Sequence, residues 1–243
     1  MQRVAILGAT SAIAEACARL FAARGARLFL AGRRRGRIEQ IATDLRIRGA
    51  AECVIEVIDF DDVAAQAPLL DRAFTAFGGL DVVLIAYGSL PDQAVCEAST
   101  EATLKAFHSN ATSVIALMSE LARRLQTPST LAVISSVAGD RGRASNGVYG
   151  CAKAAVSAAA SALRQSHGKR GVQVLTIKPG LVDSPMTAHL DKSLIWTRPE
   201  RVARGIVNAI ERRRDVVYLP AFWRLIMLAI RAMPEFIFKR LSF

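Results

Sequence analysis

Three residues in this chain have the types and spacing of a proton-transfer site. They are Ser136, Tyr149 and Lys153, within ISSVAGDRGRASNGVYGCAK, the stretch from Ile134 to Lys153. Tyr149 and Lys153 are four apart, and the Ala-rich run CAKAAVSAAASAL predicts a helix that stacks them on one face. An ammonium beside a phenol favours the phenolate, so the Tyr149 pKa is expected below the usual value of about 10. Such a phenol gives or takes a proton at a C–O centre. Ser136 follows the apolar run LAVIS, where a hydroxyl meets a substrate oxygen as strand passes into loop. The three suit a carbonyl and alcohol pair and lack a hydride source.

The elements that would position them alternate. Apolar runs at Arg3–Leu7, Arg27–Gly32, Cys53–Ile58, Leu80–Ala86, Thr130–Ser135, Val172–Lys178 and Asp215–Leu219 read as strands, with helical segments between them. That order predicts a single α/β domain, a doubly wound parallel sheet of about seven strands with helices on both faces. Gly8 to Ala14 turns the first strand into a helix, whose free N–H groups offer a pyrophosphate site. Gly8, Thr10, Ser11, Ala12 and Ile13 are the contacts expected there. Arg33 follows the second strand, where an acid would bind a ribose 2′-hydroxyl and an Arg accommodates a 2′-phosphate. This favours NADPH, with Arg34 and Arg35 as lesser candidates. Glu97 to Leu125 reads as one long helix starting near Ser99 or Thr100, with Asn110 inside it. Thr187 to Arg198 has little period and is expected to be a lid over the substrate.

Ser136 followed by Tyr149-x-x-x-Lys153, behind a Gly-containing turn, resembles the short-chain dehydrogenase/reductase family over nearly the whole chain. The resemblance implies hydride transfer to or from NADP(H), with Tyr149 as proton donor and Ser136 orienting the substrate oxygen. It implies that Lys153 holds the nicotinamide ribose and that Asn110 keeps a water linking Lys153 to solvent. It places Asp59 at the adenine amino group and Phe60 beside the ring. Ala86, Tyr87 and Gly88 stand at the Asn-Asn-Ala-Gly turn, where only the Gly matches. Pro179, Gly180, Val182 and Ser184 match the segment that cradles the nicotinamide. Ala12 and Ala14 replace two glycines of the first turn, and Ser184 replaces a Thr. No metal is implied. Helices beginning near Glu97 and Tyr149 are the family's usual dimer face, so a homo-oligomer is expected.

Within the family, SSVAGDRGRASNGVYG, VIDFDD, LDVVLIAYG, PGLVDSPMTAHL and the basic, aromatic tail are similar to the decaprenylphosphoryl-2-keto-pentofuranose reductases. That likeness implies a keto-sugar on a polyprenyl phosphate, with Arg141 and Arg143 as candidate phosphate contacts. A 3-oxoacyl or 3-ketosphinganine-type lipid is the alternative substrate. A dinucleotide-binding scaffold without turnover is the alternative from another class.

The chain has 243 residues, 52% hydrophobic, which argues for a folded core. Its net charge of +11 attracts anions. No nucleic-acid reading element accompanies it, so no nucleic-acid partner is expected. Cys17, Cys53, Cys96 and Cys151 form no CxxC pair, which points to a reducing compartment. The chain enters its first strand almost at once and no apolar run reaches the length of a span, so a cytoplasmic protein is expected. Residues 1–219 read as the catalytic domain and 220–243 as a tail. The tail's AFWRLIMLAIRAM is apolar almost all round apart from Arg224 and Arg231. It suits a helix in the headgroup region of a membrane's inner face, or one packed on the domain or a subunit contact.

Overall fold

The computed structural model describes residues 1–188 and 190–241. His189, inside the expected lid, and Ser242 and Phe243, at the end of the tail, lie outside the described residues. Seven strands alternate with helices, as the spacing of the apolar runs predicts. They are β1 (Arg3–Leu7), β2 (Arg27–Gly32), β3 (Glu52–Val57), β4 (Val82–Ile85), β5 (Ser129–Ile134), β6 (Val172–Pro179) and β7 (Val216–Leu219). All pair in parallel, in the order β3-β2-β1-β4-β5-β6-β7. The order reverses between β1 and β4, and at such a point the strand ends open a crevice.

Both faces of the sheet are covered, which is why its central strands are apolar without alternation. Val4, Ile6, Leu28 and Leu30 face α1 (Ala12–Ala22), α2 (Arg35–Ile47) and α8 (Pro199–Glu211). Ala5, Leu7, Phe29, Val83 and Ile85 face α3 (Gln66–Phe77), α6 (Ser113–Arg124) and α7 (Gly147–His167). Phe21 and Phe29 are fully buried, each worth about 2–3 kcal/mol of transfer free energy. Helix α8 buries Val202, Ile206 and Ile210 on one stripe, with Pro199 in its first turn.

The expected single helix from Glu97 to Leu125 is four pieces instead. Asp92 caps α4 (Gln93–Ala98) through the Ala94 and Val95 amides. Ser99 then caps α5 (Thr100–Phe107) through the Ala102 amide at 3.2 Å. A π-helical turn at His108–Thr112 follows before α6. The inserted turn keeps the apolar period of both neighbours, so the pattern hides the break.

The C-terminal tail forms α9 (Trp223–Ala232) and the short α10 (Glu235–Phe238). Trp223 and Met227 are buried against Val137, Leu181 and Tyr218 of the domain. The opposite side stays open: Leu225 is 70%, Leu228 64% and Phe236 62% exposed. Among the described residues, no helix is long and apolar enough to cross a membrane.

Candidate active site

A cleft of about 320 Å³ opens along the carboxyl ends of the strands at the reversal point. Its walls include Gly8, Thr10, Ser11, Ala12, Ile13, Arg33, Phe60, Ala86, Tyr87, Gly88, Asn110, Ser136, Tyr149, Lys153, Pro179, Gly180, Val182 and Ser184. Asp59 lines an adjoining cavity of about 340 Å³, which shares Arg33, Phe60, Tyr87 and Gly88 with the cleft. The structure therefore brings the predicted site residues together around two joined spaces.

The first turn is tight because the Ala86–Tyr87 segment that follows β4 passes close to it. Gly8 has φ +94°, and a Cβ there would stand 2.5 Å from the Tyr87 amide nitrogen. The Gly8 and Ala9 amides donate to Ala31 O at 2.9 Å, tying the turn to β2. Ser11 is the N-cap of α1 without a side-chain cap bond, so the helix's first N–H groups face the cleft without that partner. Ala14 is fully buried, and its methyl fills the helix-to-strand contact.

The second turn answers what the missing asparagines leave open. The Tyr87 ring stacks on Phe60, centroids 4.3 Å apart and planes 3° from parallel. Its hydroxyl is 3.3 Å from Ser113 Oγ, and burial pushes its pKa up. Asn110 is fully buried in the π turn, where its Oδ1 accepts from the Ser89 amide at 3.0 Å and its Nδ2 donates to Ala106 O at 3.0 Å. Two rings and one amide thus hold the Ala86–Ser89 segment. Asp59 Oδ1 accepts the Asp61 amide at 3.2 Å, and Asp62 caps the following turn through the Ala64 amide at 3.1 Å.

Tyr149 and Lys153 lie one turn apart on α7, as their spacing predicts. Lys153 Nζ is 5.6 Å from the Tyr149 ring centre and donates to Ile134 O at 3.1 Å. Burial lowers the Lys153 pKa to about 8. Burial also raises the Tyr149 pKa to about 12, with its polar contact to Ser136 working the other way. The expected depression by the ammonium is therefore corrected: in the protein alone, desolvation of the phenol outweighs its neighbour. Tyr149 is packed by protein yet keeps part of its surface open on the cleft.

Ser135, Ser89 and Gly139 escaped the sequence reading. Ser135 Oγ donates to Lys153 O at 2.9 Å and meets Ser157 Oγ at 2.7 Å, locking β5 to α7. The doubled serine after an apolar run was the available signal. Arg141 does not meet the cleft as a phosphate contact; its guanidinium is bonded into the tail. Arg143 is half-buried, burial lowers its pKa, and its Nε has no hydrogen-bond partner among the described residues.

The profile of the short chain dehydrogenases matches residues 2–194. The chain belongs to the short-chain dehydrogenase family. It is an NAD(P)-dependent oxidoreductase of that family. It is 34% identical to an uncharacterised oxidoreductase of Mycobacterium tuberculosis, covering 98% of this chain and 96% of that one. It is 36% identical to an uncharacterised oxidoreductase of Streptomyces coelicolor, covering 97% and 94%. A short-chain dehydrogenase of Burkholderia cenocepacia, solved in complex with NADP, superposes with a TM-score of 0.81 at 21% identity, covering 89% of this chain and 95% of that one. Among the described residues, no group of three or more His, Cys, Asp or Glu side chains is placed to hold a metal ion.

Proposed function

We propose that this protein is an NADPH-dependent reductase of a lipid-linked ketone, with a keto-sugar on a polyprenyl phosphate as the favoured substrate. The observation that carries the reaction is the meeting of Ser136, Tyr149 and Lys153 in one cleft that Arg33 also lines. Bound NADPH supplies a hydride to the carbonyl carbon. Tyr149 gives its proton to the carbonyl oxygen, and a phenol held protonated by burial is ready for that direction. Ser136 orients the oxygen. Lys153 meets the nicotinamide ribose and, when charged, favours the phenolate left behind. Asn110, which lines the same cleft and lies with Lys153 beside Gly88, belongs to the proton supply.

The cofactor walls are Gly8, Thr10, Ser11, Ala12 and Ile13 for the pyrophosphate, and Arg33 for the 2′-phosphate. Arg33 is exposed and makes no ion pair among the described residues, so its guanidinium is available to an anion. Asp59, with the stacked Phe60 and Tyr87, borders the space for adenine. Pro179, Gly180, Val182 and Ser184 border the nicotinamide.

The substrate class rests on the surface beside the lid. Met186, Leu190, Leu194 and Ile195 of that region are exposed, as are Phe222, Leu225, Leu228 and Phe236 of the tail. Arg224, Arg231, Lys239 and Arg240 stand among the latter on the surface. Rings and aliphatics with cations suit an anionic lipid surface, and a lipid-linked ketone stays in the bilayer. In this reading residues 1–219 form the catalytic domain and 220–243 the tail, and α5, α6 and α7 form a homo-oligomer face. The place of work is the cytoplasm, at the inner face of the membrane. A 3-oxoacyl or 3-ketosphinganine lipid fits the same surface. Mass spectrometry of lipids that accumulate on removal of the protein tests the choice: a polyprenyl-linked keto-sugar supports the proposal, and an accumulating keto-lipid without sugar overturns it.

A further inference from the structure

The turn after Ser136 is gripped from two sides. On one side it lies against α7: a Cβ on Gly139 would stand 2.6 Å from the Lys153 carbonyl carbon and 2.7 Å from the Ala154 amide nitrogen. On the other side Val137 packs with Trp223 and Met227 of α9. Asp140 is buried in an ion pair with Lys178 and accepts the Tyr218 hydroxyl at 2.7 Å. Ser136 is part of this turn, since its Oγ accepts the Ala138 amide at 3.1 Å and its carbonyl accepts the Gly139 amide at 3.1 Å.

Arg141 closes the grip. Its Nη1 donates to Ile230 O at 2.6 Å and Met233 O at 2.5 Å, carbonyls at the C-terminal end of α9. Its Nη2 donates to Glu235 Oε2 at 2.8 Å, and the guanidinium lies 3.8 Å over the Phe238 ring. One side chain from the Ser136 loop thereby makes four contacts, all with the C-terminal segment. Helix α9 also braces the other loop bordering the cleft, because a Cβ on Gly180 would stand 1.9 Å from Trp223 Nε1.

We infer that Arg141 is a positioning residue: by clamping α9 and α10 over the Val137–Asp140 turn, it holds Ser136 in register with Tyr149 and Lys153. The inference rests on the proposed role of Ser136. It makes the C-terminal segment part of the working site, whatever its outer face meets.

Two readouts test it, one of them independent of substrate. Hydrogen exchange at the Ala138 and Gly139 amides is expected to rise about tenfold in Arg141→Ala, with β1 unchanged. Turnover is followed as NADPH oxidation with phenanthrenequinone. There Arg141→Ala is expected to lower kcat about tenfold while NADPH affinity stays within about twofold, and to add less than about twofold in a Ser136→Ala background. Arg141→Lys, which keeps a cation for the helix end, recovers part of both effects and serves if the Ala variant does not fold. Unchanged exchange at those two amides, or an equal loss with and without the Ser136 hydroxyl, would overturn the inference. Absence of NADPH oxidation by the native protein with every ketone tried counts against the reductase reading, and exchange then decides the role of Arg141.

Discussion

Lys153 Nζ lies 5.6 Å from the centre of the Tyr149 ring, one helical turn away, and its nearest polar partner is the carbonyl of Ile134 at 3.1 Å. Both groups are driven toward their neutral forms by burial, with Lys153 at about 8 and Tyr149 at about 12. The pair is thus set for giving a proton, and its pH behaviour follows.

The kcat/KM for NADPH reports the free enzyme, so it is expected to hold below pH 8 and fall above it as Lys153 loses its charge. Between about 8 and the usual 10.5, the unfolded chain keeps a proton on Lys153 that the native state has lost. This residue's contribution to stability therefore improves as pH rises through that window. Lys153→Met is expected to flatten the slope, measured by urea unfolding across the window. An unchanged slope would remove the assignment.

In the proposed reading, Arg33 meets the 2′-phosphate of the cofactor. Losing a charge-assisted contact worth about 1.5–3 kcal/mol weakens binding roughly 10- to 100-fold. Arg33→Ala is expected to lose NADPH affinity by that factor and leave NADH affinity within about twofold, read by quenching of protein fluorescence. Equal losses for both nucleotides would place the 2′-phosphate elsewhere.

Gly8 has no room for a side chain, because the Tyr87 amide nitrogen occupies the place of its Cβ and its φ is +94°. Gly8→Ala is expected to cost about 2 kcal/mol, a fall in Tm of roughly 5 °C, and to weaken NADPH binding as the turn opens. A variant with native Tm and affinity would show that the Ala86–Tyr87 backbone yields at no cost.

Much of this was readable in the chain. β1 and β2 were predicted with their observed ends, because apolar runs bounded by Gly and charged residues leave little choice. β4 is shorter than its apolar run, since Leu80 and Ala86 are buried by packing outside the ladder. The π turn at Asn110 was not readable, because an extra backbone residue within a helix has no side-chain signature. Nor was the destination of Arg141: its partners lie some ninety residues away, and a loop cation looks the same whether it meets a ligand or a helix end. The stacking of Tyr87 on Phe60 belongs to the same class, two aromatics on different strands' loops.

The outer face of α9 tests the lipid reading. Leu225→Glu with Leu228→Glu is expected to reduce co-sedimentation with phosphatidylglycerol vesicles at least about fivefold at unchanged Tm, since both side chains are exposed. Native-level sedimentation of the double variant would assign the binding, if any, to charge alone.

Tyr149 as the proton donor is tested by single-turnover hydride transfer from NADPH in Tyr149→Phe, which removes one oxygen and little volume. A loss of about 10²- to 10⁴-fold in the transfer step is expected, with NADPH affinity within about twofold of the native protein. Transfer at the native rate would contradict it.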